Sequence, residues 1–208
     1  MLKNVFYISG SIIIFFAGMI CYGFILNMNE IPLQQILDEK GLNEINKDNI
    51  KIVVDRKNYK LELYYNNELI KTYKAVFGKN SGDIKKSAFD YVTPIGSYKI
   101  CSIDTNYKYH KFFKLSYPND KDAAEALKRG YIKEEEYDAI LNAYKNDQYP
   151  VLGTKLSESI GVHGIGEYDF IFRNLPFTFN WTNGSVAVSN DNIDELFTLI
   201  KVGIPVKI

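Results

Sequence analysis

Residues 181–190 read WTNGSVAVSN, and the order of residue types across these ten positions decides how the rest of the chain is read. Gly184 precedes a hydroxyl, Ser185, which opens a short apolar run, Val186-Ala187-Val188. Ser189 and Asn190 can cap a helix from Asp191 to about Lys201, with Asp191 and Asp194 in its acidic first turn. Ile193, Leu196, Phe197 and Ile200 give that helix one apolar face. Gly203 stops it, and Ile204 to Ile208 makes a last strand. A glycine turn that delivers a hydroxyl to the start of a buried strand can hold chemistry. Gly184 lets a substrate backbone approach, and the N–H groups of Gly184 and Ser185 can face an oxyanion. Upstream, Val162-His163-Gly164 ends another short strand, Ile160 to His163, with a histidine. That pairing makes Ser185 a candidate nucleophile and His163 its base. On residue types alone the plainer reading leads: a turn serine, and a histidine satisfied as a polar group.

Outward from this stretch the domain reads as mainly β, of the α+β class. Ile50, Ile52 and Val54, then Leu61, Leu63 and Tyr65, alternate along two runs, and Asn66-Asn67 marks a hairpin turn. Leu69 to Phe77 continues as a strand, followed by a loop over Gly78 to Asp83. Pro94 and Gly96 punctuate the chain before a strand over Tyr98 to Ile103. Phe112 to Tyr117 is a further apolar run, closed by Pro118-Asn119-Asp120. Asp120 to Arg129 and Lys133 to Lys145 are charged and helical, joined at Gly130, with Tyr137, Ile140, Leu141 and Tyr144 at helical spacing. This helical insertion, about 120–146, reads as a lid over a site or as a structural flap. Four other residues carry two readings each. His110 lines a cleft or is a solvated loop residue. Tyr117 and Asn119 shape an entrance or form an ordinary turn after a strand. Trp181 is expected to pack beneath the strand that follows it.

The other end of the chain is different in kind. Val5 to Leu26 is a run of 22 residues without a charge, and about 20 suffice to cross a bilayer core. No small-residue cleavage site follows Leu26, so the segment reads as a retained signal anchor rather than a cleaved leader. Lys3 lies before it, and Glu30, Asp38 and Glu39 follow. The positive-inside rule then places the N-terminus in the cytoplasm and residues 28–208 outside. The expected organisation is an anchor over 1–27, a tether with a short helix (Pro32 to Lys40) over 28–48, and one domain over 49–208.

Composition narrows the function classes. The chain has 208 residues with 25 basic and 25 acidic side chains, a net charge of zero. No basic face for nucleic acid is implied. Hydrophobic content of 46% excludes a disordered chain. Two His and two Cys, without HExxH or CxxC spacing, make a zinc site improbable, and no metal is expected. Cys21 lies in the apolar run, so Cys101 has no partner for an internal disulfide and reads as a small buried hydrophobe.

Over nearly all of residues 50–208 the chain resembles the catalytic domain of L,D-transpeptidases, the YkuD-type fold, a β-sandwich-like domain. The matching elements stand in the family's order. They are Phe77-Gly78-Lys79-Asn80 with Thr93-Pro94-Ile95-Gly96-Ser97-Tyr98, then Lys114 to Asn119 with the helical pair, Ile160 to Gly164, Trp181 to Asn190, and Val202 to Val206. The resemblance implies a transferase of cell wall biogenesis and cell shape, working in the periplasm without metal or organic cofactor. In that family a cysteine attacks a peptidoglycan tetrapeptide stem, expels D-alanine, and passes the acyl group to an amine or to water. Carried onto this chain, Ser185 and His163 are the catalytic pair. Gly184, Asn183, Gly164, Thr182 and Tyr117 form the oxyanion and substrate surround. The expected partners are stem peptides and the membrane, through residues 5–26, with room for a protein partner and no nucleic acid.

The family motif is roughly [ST]-H-G-C-x-R, and here it is Thr182-Asn183-Gly184-Ser185-Val186-Ala187. Asn183 and Ala187 depart in ways that resemble the subgroup with a helical insertion. Ser185 in place of the cysteine is the larger departure. A serine hydroxyl has essentially no ionised population near neutral pH and needs a base in place at the moment of attack. Two readings follow, an acyltransferase or peptidase acting through Ser185, or a catalytically inactive relative that binds peptidoglycan or regulates an active enzyme. A membrane-anchored structural domain without a glycan partner is the third.

Overall fold

A computed structural model describes residues 2–146, 148–149 and 153–208. The chain begins with helix α1 (Leu2–Asn27). At 1.5 Å per residue it is about 39 Å long, against a bilayer core of about 30 Å. Its span Lys3–Asn27 has a mean hydropathy of 2.1, long and apolar enough to cross a membrane. Ile13, Ile14 and Phe15 stand exposed on it, as expected of a helix without a protein partner at that height. Helix α2 (Leu33–Glu39) follows. The segment expected as a tether is packed on the domain: Leu33 and Leu37 are buried in the main core, and the Leu33 N–H donates to Glu195.

Strands β1 (Ile50–Asp55), β2 (Lys60–Tyr65) and β3 (Glu68–Lys74) form an antiparallel meander. Ile52 pairs with Leu63, so the two alternating runs bury the same face. Asn66 and Asn67 both have positive φ, as a two-residue hairpin turn between right-twisted strands requires. The long strand β4 (Ser97–Tyr107) and β5 (His110–Leu115) form a second hairpin. The insertion contributes α3 (Asp120–Lys128) and α4 (Glu134–Lys145). Asn119 and Asp122 close a capping box at the start of α3. The insertion holds its own small core of Ala123, Ala126, Ile132, Ile140 and Leu156.

After it come β6 (Gly161–His163), the short α5 (Asp169–Arg173), β7 (Val186–Ala187), α6 (Asn190–Leu199) and β8 (Pro205–Lys207). The Ser189 hydroxyl caps α6 through the Asn192 N–H. The strands join into one mixed sheet in the order β3-β2-β1-β8-β4-β5-β6-β7. Its two halves meet at β4, whose start pairs with β8 and whose remainder pairs with β5, with register shifts along the way. The last strand in sequence therefore sits mid-sheet, parallel to β1 and antiparallel to β4. The main core runs under both halves, from Leu63 and Tyr73 to Phe113, Val162 and Val186, and α6 seals it with Ile193 and Leu196. This arrangement brings β6 and β7, with the histidine and serine, to one edge of the sheet.

Candidate active site

Strands β6 and β7 pair in parallel, with His163 opposite Ala187 and Val162 opposite Val186. Side chains two residues apart share a face, so Ser185 lies on the same face as His163, two residues back along the strands. Gly161 stands beside Ser185. A Cβ there would fall 2.4 Å from the Phe113 carbonyl oxygen and 2.4 Å from the Phe112 ring, so only glycine lets β5 come this close.

The turn before Ser185 is clamped from several sides. The N–H groups of Trp181 and Thr182 donate to the Phe77 carbonyl, and the Lys79 N–H donates to that of Thr182. The Gly78 N–H donates to the Thr93 hydroxyl at 2.8 Å. A side chain at Gly78 would meet the Tyr91 carbonyl oxygen at 2.0 Å and Gly184 Cα at 3.1 Å. The Phe77-Gly78 and Thr93-Pro94 elements thus hold the turn before Ser185 in place. Thr182 donates its hydroxyl to the Ser185 carbonyl at 2.6 Å and accepts from the Gly184 N–H at 3.2 Å. Gly184 itself has φ 131°, a conformation open to glycine. The Ser185 N–H has no acceptor among the described residues and is the available oxyanion donor. Asn183 is exposed on the rim of the turn.

Ser185 is 9% exposed and His163 3%. The Ser185 hydroxyl accepts from the Gly161 N–H at 3.2 Å and donates, at 3.5 Å, to the Ser159 carbonyl. It is therefore bonded to the main chain entering β6 and not to the imidazole. His163 donates Nδ1–H to the Gly164 carbonyl at 2.6 Å, which sets the tautomer and leaves Nε2 with a free lone pair. The orienting group is thus a backbone carbonyl. Asp169 instead accepts from the Asn190 N–H and faces Arg173, while Glu167 is exposed. Burial pushes the His163 pKa down from 6.5 to about 4, with the Gly164 hydrogen bond offsetting part of the loss. The ring is neutral at pH 7 and can accept a proton.

A ring of aromatic side chains buries the imidazole. Tyr109 stacks on it at 5.2 Å between centroids, and Trp181 meets it edge-on at 5.8 Å. Tyr107 and Phe112, themselves stacked at 4.6 Å, complete the surround. Tyr109 comes from the tip of the β4–β5 hairpin. That tip lies directly over the chain after His163: Cβ atoms at Gly164 and Gly166 would come within 2.9 Å of the Tyr109 carbonyl oxygen and 3.1 Å of its Cα. Trp181, expected beneath its strand, is instead a half-buried wall beside the histidine, backed by Phe172 at 6.2 Å.

The sequence offered no signal for Tyr109 beyond its place next to His110, and His110 turns elsewhere. Its Nε2 lies 2.8 Å from Asp194 on α6, where Lys111 also pairs. Tyr117 and Asn119 do not border an entrance. Tyr117 is 1% exposed against Tyr98, and Asn119 caps α3 and donates to the Ser97 carbonyl. Cys101 is half-buried in β4, where burial pushes its thiol up, away from the reactive range.

Lys85 was not anticipated either. Its ammonium is buried, 2.7 Å from Asp90 and 2.6 Å from Glu158, and would lie 3.3 Å from a Cβ on Gly184. Burial raises the Glu158 pKa despite Lys85. Burial also opposes the charge of Asp90, but Lys85 and the N–H groups of Val92 and Lys86 hold it below its ordinary value. This triad ties the 85–92 loop and the chain before β6 to the back of the turn before Ser185. Among the described residues no three His, Cys, Asp or Glu side chains come together to hold a metal ion.

The arrangement can support acyl transfer: a hydroxyl and a neutral imidazole on one face, a free N–H beside the hydroxyl, and an apolar cover. Comparison with known proteins places the chain in a family. The family model for the L,D-transpeptidase catalytic domain matches residues 49–208. No curated protein matches significantly. Among solved structures, Bd1075 of Bdellovibrio bacteriovorus is similar at 24% identity and TM-score 0.49, over 77% of this chain and 47% of that one. L,D-transpeptidase 1 of Mycobacterium tuberculosis is similar at 15% identity and TM-score 0.37, over 76% of this chain and 60% of that one. An L,D-transpeptidase of Xylanimonas cellulosilytica is similar at 13% identity and TM-score 0.42, over 85% of this chain and 69% of that one. The chain spans from about half to two thirds of the length of these proteins. With the family model covering most of its length, the chain belongs to the YkuD family of L,D-transpeptidase catalytic domains.

Proposed function

We propose that this chain is a membrane-anchored cell-envelope protein that transfers acyl groups from peptidoglycan tetrapeptide stems, with Ser185 as nucleophile and His163 as base. The observation that carries the reading is the shared face of β6 and β7, with a neutral imidazole whose Nε2 is free. In the reaction, the Ser185 hydroxyl turns from Ser159 toward His163. Its oxygen bonds to the carbonyl carbon of the third stem residue, and its proton passes to Nε2. The oxyanion forms against the Ser185 N–H. Collapse breaks the bond to D-alanine, whose amine takes the proton from Nε2. An amine or water then attacks the ester carbonyl carbon and passes its proton to Nε2; the bond to Ser185 Oγ breaks and Oγ takes that proton back, leaving a cross-link or a shortened stem. Helix α1 anchors the chain, residues 28–48 join it to the domain over 49–208, and the domain stands on the extracytoplasmic side.

One observation favours a second reading, a silent relative that binds stems without turning them over. The Ser185 hydroxyl is held by the main chain on both its donor and acceptor sides. Intact-protein and product mass spectrometry separates the two. The full-length chain is incubated in detergent with a disaccharide-tetrapeptide, beside Ser185→Cys. An acyl adduct or release of D-alanine from the unmodified chain supports serine catalysis. Turnover only in Ser185→Cys supports the silent reading with an intact stem site, and silence in both refutes the substrate assignment.

A further inference from the structure

The last turns of α1 do not end free of the domain. A Cβ on Gly23 would fall 1.8 Å from the Asn174 carbonyl oxygen, so the helix and the chain after α5 touch backbone to backbone. Asn27 donates its amide to the Arg173 carbonyl at 3.0 Å and to Asn174 Oδ1 at 2.8 Å. The Phe24 and Phe170 rings lie 6.0 Å apart. Around this junction, five large apolar side chains stand exposed within residues 168–179. They are Tyr168 (59%), Phe170 (55%), Ile171 (44%), Phe177 (47%) and Phe179 (39%). Such density on a surface is the mark of a contact, since soluble surfaces keep apolar patches small.

The position of the patch identifies its occupant. It is attached to the end of a helix with the length and composition to cross a bilayer, at the level where Asn27 and Asn29 follow the last apolar residues. That level is the membrane interface, where aromatic side chains concentrate. The charges nearby are mixed: Lys71 pairs with Glu195, and Arg173 with Asp169 and Asp191. Attraction here comes from apolar and aromatic burial rather than from net charge.

We infer that the segment Tyr168–Phe179, with α5 at its centre, is a second membrane contact that sits in the interfacial layer of the bilayer α1 crosses. The domain then lies on the membrane rather than hanging from a tether. A cavity of about 380 Å³ between the end of α1 and the domain is lined by Phe24, Asn27, Phe172, Phe177 and Trp181. Its Trp181 wall also meets the His163 ring, 5.8 Å away between centroids. The inference rests on the anchoring of α1 proposed above, and its test is built to separate the two.

Two full-length variants, each first freed of Cys21 and Cys101 by serine replacement, carry one environment-sensitive dye. One has it at Phe170→Cys and the other at Ile14→Cys. Both are reconstituted into phosphatidylcholine–phosphatidylglycerol vesicles with nitroxide lipids labelled at the headgroup or deep in the chain. The expected result is blue-shifted emission at 170, quenched several-fold more by the headgroup nitroxide than by the deep one, with the reverse order at 14. Phe177→Cys reads the same surface while keeping the Phe24–Phe170 contact, and is expected to match 170. If iodide reaches the dyes at 170 and 177 while position 14 is quenched by lipid, the anchor stands and the inference fails. If position 14 is aqueous, the anchor reading fails and takes the inference with it. Dyes at 170 and 177 shielded from both iodide and lipid mean that protein, for instance a second copy, covers the patch, which also overturns it.

Discussion

Lowering the pH from 7.5 to 4.5 should cost the folded chain about 2–3 kcal/mol through His163 alone. The folded pKa is about 4 and the ordinary value 6.5, because burial disfavours the imidazolium. As pH falls the unfolded chain takes up this proton first, so the stability is fully present above about pH 6.5. It is lost progressively toward pH 4. The gap sets a ceiling of about 3 kcal/mol. Asp122 works in the opposite direction. Burial raises its pKa to about 6, against hydrogen bonds from Asn119 and Tyr98, so the folded state gains from its protonation as pH falls. The comparison that isolates His163 is with His163→Asn, which keeps an N–H for the Gly164 carbonyl and does not titrate. Urea unfolding of both full-length proteins in detergent can be followed by the fluorescence of Trp181, the sole tryptophan, which contacts the imidazole. The wild-type curve should fall below the variant's by about 2–3 kcal/mol more at pH 4.5 than at pH 7.5. Parallel pH dependences would refute the claim that His163 is buried as a neutral base.

Other expectations bear on the same site. Tyr109→Ser removes the stacked cover and should move the His163 titration midpoint up from about 4 toward 6.5, read from its ring-proton NMR signal; an unmoved midpoint would mean that Tyr109 does not desolvate the ring. Lys85→Met strips two carboxylates of a buried cation and should destabilise the fold by about 3–5 kcal/mol, with partial recovery on adding Asp90→Asn. A loss below about 1 kcal/mol would make the triad a surface-like pair. Gly161→Ala sets a methyl 2.4 Å from the Phe113 carbonyl oxygen and should cost about 1–3 kcal/mol or more in thermal unfolding; a neutral result would mean that β5 and β6 can part freely. Turnover of a tetrapeptide substrate should rise in Ser185→Cys, because a thiol carries a few per cent of thiolate near neutral pH and a serine essentially none.

The Lys85 triad and the aromatic cover have a common consequence. One braces the turn before Ser185 from behind, and the other removes His163 from water. In this conformation neither Ser185 nor His163 lines the cavity beside Trp181 or the groove lined by Phe77, Gly78 and Thr93. On the function proposed above, a stem peptide would reach the pair only by displacing the hairpin tip at Tyr109 or the Trp181 wall. Exposure of the ring would raise its basicity toward the range in which a general base works well near neutral pH. Substrate entry and activation of the base would then be one event.

Much of the fold was legible because it is local. The alternation at Ile50, Ile52 and Val54 against Leu61 and Leu63, the paired asparagines of the hairpin, the Ser189 cap and the helical spacing of the insertion all act within a few residues. The candidate pair was legible for the same reason: a glycine before Ser185 and one after His163 are signals of backbone geometry. The motif order added the family, since it orders elements along the chain. The place of β8 in mid-sheet was not readable, because it depends on which edges remain open once β1 and β4 have formed. Nor was the burial of Tyr117, which is decided by the packing of Tyr98 behind it. The partner of His163 Nδ1, the stacking of Tyr109 and the meeting of Lys85 with Glu158 are contacts made in space. The sequence by itself determined the apolar span, the first hairpin, the helical insertion and the closing helix, because those follow from short-range sterics and the period of burial, whereas α5 and the full length of β4 did not. Only the tertiary structure decided what surrounds His163 and Ser185, because desolvation and charge pairing there come from residues that the chain separates and the sheet brings together.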